Sequence, residues 1–117
     1  MAQNHPELLN KYYGLFIELL KHPNTTDSIN RNILRALQFV SIPEAHEGQV
    51  LDISFQLLNS SKAPIAIKAF SMTIIFNLSK KYPDIIPELK ASIEALMPHA
   101  SAGIKNRGRK ILRAIPD

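Results

Sequence analysis

The sequence predicts an all-α fold made of three antiparallel helix pairs. Three observations carry that prediction. Apolar residues recur three and four positions apart along most of the chain, the spacing of helices with one buried face. A proline followed by an acid recurs at Pro6-Glu7, Pro43-Glu44 and Pro83-Asp84, at offsets of 37 and then 40 residues. Strand signals are poor, with no Asn-Gly or Asp-Gly hairpin and no sustained alternation.

The first helix is expected over Pro6–Lys21. Its stripe is Leu8, Leu9, Tyr12, Leu15, Phe16, Leu19 and Leu20, and Asn4-His5-Pro6-Glu7 reads as a capping box. The second is expected over Thr26–Val40, opened by Thr25. The third runs over Pro43–Asn59, with Ser41-Ile42-Pro43-Glu44 as a second capping box. The fourth runs over Pro64–Lys81, opened by Ser61. From Pro64 to Ser79 its only charge is Lys68, so it needs neighbours on several sides. The fifth is expected over Asp84–Met97, capped by Asp84, with Ile85, Leu89, Ile93, Leu96 and Met97 as its stripe. The sixth runs over Ala102–Ile115 from a cap at Ser101. Gly108 lies on its stripe of Ile104, Ile111, Leu112 and Ile115. There it costs about 1 kcal/mol of helix propensity, which close packing against the preceding helix would explain.

The pairs repeat. The second helix of each carries an early isoleucine with a base within two residues: Ile29 with Arg31, Ile67 with Lys68, Ile104 with Lys105. A period near 40 residues with two helices per unit marks an α-solenoid. One domain of three units is expected, at about 1–41, 42–82 and 83–117; the alternative is an irregular six-helix bundle. This pattern resembles HEAT repeats and their armadillo relatives. Ile67-Lys68 and Ile104-Lys105 match the start of such a repeat's second helix. Ile29-Asn30 departs from it, and only Asp27 supplies the acid such repeats carry in the turn. The resemblance implies a short right-handed α-α superhelix that binds partners rather than catalyses.

Composition narrows the function classes. The chain has 117 residues, enough for one core, and no cysteine, which excludes disulfides and thiolate chemistry. Met1-Ala2-Gln3-Asn4-His5 has no basic n-region or apolar h-region, so no signal peptide and a cytoplasmic location are expected. No apolar run approaches the ~18 residues of a membrane span, so no membrane partner is expected. The sequons at Asn24, Asn59 and Asn77 read as chance matches. Histidines 5, 22, 46 and 99 have no partner at metal-ligand spacing, and no carboxylate pair, nucleophile motif or phosphate loop is present. No enzyme, metal or cofactor is therefore expected.

Charge is segregated. The acids Glu7, Glu18, Glu44, Glu47, Asp52, Asp84, Glu88 and Glu94 lie on first helices, and the second helices contain no acid beyond the cap at Asp27. The second helices carry Arg31, Arg35, Lys68, Lys105, Arg107, Arg109, Lys110 and Arg113, the candidate anion- or partner-binding residues. Second helices line the concave face of such a stack, and a basic concavity attracts an anion. Lys105, Arg109 and Arg113 share one helix face at four-residue steps. The same bases also serve solubility of a terminal repeat and complement helix C-termini. The net charge is +4. An acidic protein surface is the first expected partner, nucleic-acid phosphate the second, and self-association through the first helix a third.

Overall fold

The computed structural model describes residues 6–22 and 24–115, with side chains placed from residue 11 onward. Six α-helices are present and no strand among the described residues: α1 Pro6–Lys21, α2 Asp27–Leu37, α3 Glu44–Asn59, α4 Ile65–Ser79, α5 Ile86–Leu96 and α6 Ala102–Ala114. Short 3₁₀ turns precede α5 (Pro83–Ile85) and follow it (Met97–His99). Every expected helix is found, with shifts at the ends.

Those shifts have local causes. Thr26, not Thr25, caps α2: its Oγ1 accepts from the Ile29 N–H at 3.3 Å. Ser101 caps α6 as expected, accepting from the Ile104 N–H at 3.4 Å. The expected capping box at Ser41 does not form. Pro43 takes the N-cap position of α3 without a side-chain cap bond, and the Ser41 carbonyl accepts from the Tyr13 hydroxyl at 3.2 Å. Glu44 instead approaches Lys81 at 3.4 Å. Asp84 does not cap α5, because the chain tightens into a 3₁₀ turn there, and Ser61 does not cap α4, whose N-cap position is taken by Pro64. The box at Asn4 lies outside the described residues. The second helix stops at Leu37, and Gln38 to Val40 form a turn.

Packing follows from α4. It touches α2, α3, α5 and α6, as its all-round apolarity requires. Two clusters make the core. One joins Tyr13, Ile17, Leu34, Leu37, Val50 and Ile53 to Ile74 and Leu78 of α4. The other joins Phe55, Leu58, Leu89, Ile93, Ile104 and Ile111 to Met72 and Ile75 of α4. The shortest dimension, 22 Å, is about two helix diameters, hence two layers. In one layer α4 lies between α2 and α6. Those three run parallel. The starts of α2 and α4 meet around Arg31, Pro64 and Ile67, and the starts of α4 and α6 meet around Ile65, Ser101 and Ile104. Parallel second helices are what a translated two-helix unit produces.

Two details fix the stack. A Cβ on Gly108 would lie 3.0 Å from Met97 Sδ and 3.1 Å from Ile93 Cγ2, so this glycine permits close approach of α6 to the end of α5. Glu47 is 7% exposed and accepts from the Tyr82 hydroxyl and from Lys81 Nζ at 3.2 Å, tying α3 to the chain just past α4. The Tyr82 hydroxyl, together with the Lys81 ammonium, holds the Glu47 carboxyl below the usual carboxylate range, against the opposing effect of burial. The hydrogen bond to Glu47 raises Lys81, and raises Tyr82 as well.

Gly108→Ala should lower stability by about 1 kcal/mol, because overpacking of about 1–3 kcal/mol outweighs a propensity gain of about 1 kcal/mol. Gly103, where a Cβ would meet nothing within 4 Å, should gain about 0.5–1 kcal/mol as alanine. Urea unfolding of both variants checks this; a Gly108→Ala protein more stable than wild type would remove close packing as the reason for the glycine. The Glu47 tie predicts a pH dependence. A depressed carboxyl contributes stability that is present above its unfolded pKa and lost as pH falls through its folded pKa. Raised Lys81 and Tyr82 contribute stability that is present below their unfolded values, near 10, and lost as pH rises through their folded ones. Glu47→Gln should therefore be less stable near neutral pH and flatten both limbs of the stability profile. Denaturation midpoints measured across pH would show it.

Candidate functional site

The layer of α2, α4 and α6 carries a groove. Its floor is the outer strip of α4, where Ala66, Ala69, Phe70 and Thr73 are half-buried and small or apolar. Helical periodicity puts these residues on the side opposite Ser71, Met72, Ile75 and Ser79, which are buried.

Arg107 of α6 lies across that floor. Its Nη1 donates to Thr73 Oγ1 at 2.9 Å, to the Ala69 carbonyl at 3.3 Å and to Gln38 Oε1 at 3.2 Å. Its guanidinium stands 5.8 Å from the centre of the Phe70 ring. One side chain thus joins all three second helices. Asn77 of α4 adds a second link, donating from Nδ2 to the Gln38 carbonyl at 2.9 Å, which satisfies a free carbonyl at the end of α2. That contact gives Asn77, read as a chance sequon, a structural task.

Gln38 also orients α2. Arg31, Arg35 and Gln38 follow at four- and three-residue steps, so they share one strip. Because Gln38 meets Arg107, that strip faces the groove. Arg31 and Arg35 are exposed, and Arg35 Nη2 donates to Asn32 Oδ1 at 2.8 Å. Lys110, three residues from both Arg107 and Arg113, is exposed between their two strips of α6. The groove therefore gathers Arg31, Arg35 and Arg107, with Lys110 the next base around α6.

The other four candidates lie elsewhere. Lys105, Arg109 and Arg113 form their own strip of α6, turned by roughly 120–160° from Arg107 at 100° per residue. Lys68 is half-buried and lines a cavity of about 510 Å³ with Ile65, His99 and Ser101, at the start of α4 and the turn into α6. Among the described residues none of the eight forms an ion pair; the pairs present are those of Lys81 with Glu44 and Glu47. Sequence reasoning singled out the face of Lys105 and left Arg107 as one base among eight. The available signal was Gln38 and Thr73, polar residues on otherwise apolar helix faces.

The groove adjoins apolar surface. Gln38 also lines a cavity of about 490 Å³ at the ends of α2 and α4, with Phe39, Val40, Ile42, Ile74 and Leu78. Phe39 is 80% exposed. On the other helix layer, Tyr12 and Leu15 of α1 are exposed, while the side chains of Leu8 and Leu9 lie outside the described residues.

Histidines fall at helix ends. His22 follows α1, where its Nδ1 accepts from the Asn24 N–H at 3.2 Å. His46, in the first turn of α3, stacks on Tyr13 with ring centres 6.2 Å apart. His99 is exposed in the turn after α5, and His5 lies outside the described residues. Among the described residues no group of three metal-ligating side chains occurs, and no helix is long and apolar enough to cross a membrane.

No curated protein and no solved structure matches the chain. A family model does: that of the HEAT repeat domain matches residues 1–115. With three helix pairs, parallel second helices and a match over nearly the full length, the chain belongs to the HEAT repeat domain family.

Proposed function

We propose that the chain is a non-catalytic helical-repeat module that binds another protein through the groove on its second helices. The observation that carries this reading is Arg107 with Arg31 and Arg35, three bases in one groove with no carboxylate paired to them among the described residues. A field of one sign in a concavity steers an oppositely charged surface and raises its association rate. Exposed Phe39 and Val40 beside the bases favour a protein surface, which offers apolar and acidic groups together.

Nucleic acid is the second reading, supported by the same basic strip and the net charge of +4. Phosphate contacts impose a steep salt dependence, so anisotropy of labelled duplex and single-stranded DNA titrated in salt separates the two. The protein-binding reading predicts no DNA complex at physiological salt. Tight binding with a steep slope would replace it with the nucleic-acid reading.

Replacing Arg31, Arg35 and Lys110 with glutamine should weaken capture of the protein partner by about tenfold or more while the unfolding midpoint stays near wild type. The equivalent change at Lys105, Arg109 and Arg113 should leave capture within about twofold. Quantitative affinity capture with the two triple variants reads the difference. Equal loss in both would mean that net charge, not the groove, drives binding.

A further inference from the structure

We propose that Arg107 and the cavity beside Gln38 form one two-part docking site for an acidic-apolar segment of a partner protein, in which Arg107 takes a carboxylate and the cavity takes an apolar side chain. This rests on the protein-binding reading above and names the chemistry that the groove selects.

The first part comes from how Arg107 is held. All three of its acceptors are met by the two hydrogens of Nη1, one of them shared between two acceptors, and all three are neutral. Among the described residues, Nη2 and Nε have no acceptor. A guanidinium has five N–H donors in a fixed plane, and its Nη2–Nε edge matches the two oxygens of a carboxylate. The bonds from Nη1 fix the plane of that fork, so little side-chain entropy remains to be lost on binding. The side chain is half-buried, which strengthens an ionic contact relative to one in open water. Phe70 lies beneath the guanidinium and keeps water from that side.

The second part comes from continuity. Gln38 accepts from Arg107 and also lines the cavity of about 490 Å³. Its apolar walls are Val40, Ile42, Ile74 and Leu78, with Phe39 exposed at its edge; Ser41, Asn77 and the mutually paired Glu47 and Lys81 line the rest. An extended or helical segment that sets a carboxylate on Arg107 therefore has the apolar walls of a mixed cavity within a few residues. Lys80, at the rim, stands 5.0 Å from the Phe76 ring and has no ion pair among the described residues, which adds attraction for a second acid. A bare phosphate backbone has nothing to place in that cavity. This favours an acidic-apolar protein segment over nucleic acid.

The test uses short synthetic peptides with glutamates and leucines three or four positions apart, and matched peptides with every leucine changed to serine. Binding is read on the whole chain by NMR, from the Arg107 Nε–H signal and the Phe39 ring. The glutamate–leucine peptide should shift both signals saturably, and the serine version should bind about tenfold more weakly. Arg107→Lys keeps the charge and loses the fork; it should weaken binding by about tenfold with the amide spectrum otherwise preserved. Arg109→Gln should change binding by less than about twofold. The proposal is overturned if Arg107→Lys binds like wild type, or if the peptide leaves the Arg107 signal unmoved. It also falls if an oligonucleotide shifts Arg107 and the peptide does not, and that result would take the protein-binding reading with it. If the peptide misses Arg107 while the groove triple variant still loses its captured partner, only the two-part site fails and the module reading stands.

Discussion

The structure depends on the solvation of one helix. Between Ile65 and Ser79, α4 has a single charge, Lys68, and isoleucine, methionine, phenylalanine and leucine on nearly every side. Left in water, such a helix would expose several side chains, each worth about 1.5–3 kcal/mol when buried. It is satisfied only if neighbours cover most of its circumference. Four helices do so, and both hydrophobic clusters meet on it. The one side left uncovered holds Ala66, Ala69, Phe70 and Thr73, and this becomes the floor of the groove. Core and candidate site are two faces of the same helix.

That uncovered side explains Arg107. A floor of alanines leaves the carbonyl of Ala69 and the hydroxyl of Thr73 accessible from above, and the residue that reaches them comes from α6. The neutral acceptors orient the guanidinium without cancelling its charge. A carboxylate in the same place would have oriented it equally well and removed its attraction for an anion. The contrast with Lys81 is instructive. Lys81 meets Glu44 and Glu47, so its charge is spent within the fold on tying α3 to the end of α4.

The sequence reveals the helices, the pairing and the central place of α4, because each rests on periodicity or on a residue type with one strong preference. Ser101 caps α6, and Gly108 sits where α6 comes closest to Met97. The helix ends are less legible. Phe39 and Val40 continue the apolar pattern of α2 in sequence, yet they lie in the turn, because tertiary packing and not periodicity decides where the helix stops. Ser41 has the composition of a cap, but its carbonyl serves Tyr13 while Pro43 takes the N-cap position. The groove is legible only in part. The second helices do carry the uncompensated bases. Which bases share a surface depends on which flank of each helix faces the groove, and an apolar stripe specifies its own centre while leaving its two flanks equivalent.

On α6 that choice separates two duties. One flank holds Arg107 against α4 and the end of α2. The other strip holds Lys105, Arg109 and Arg113, on the last helix of the match to the repeat family. Arg109 and Arg113 are exposed, and charges there keep the strip hydrated at little cost. Such charges tolerate exchange, because hydration asks only for polarity. Arg107 is different: it is half-buried, and its contacts join α6 to α4 and to the end of α2. Three hydrogen bonds to neutral groups hold this one in a single orientation, with its outer edge free. That geometry serves the fold and leaves the same group able to meet an anion.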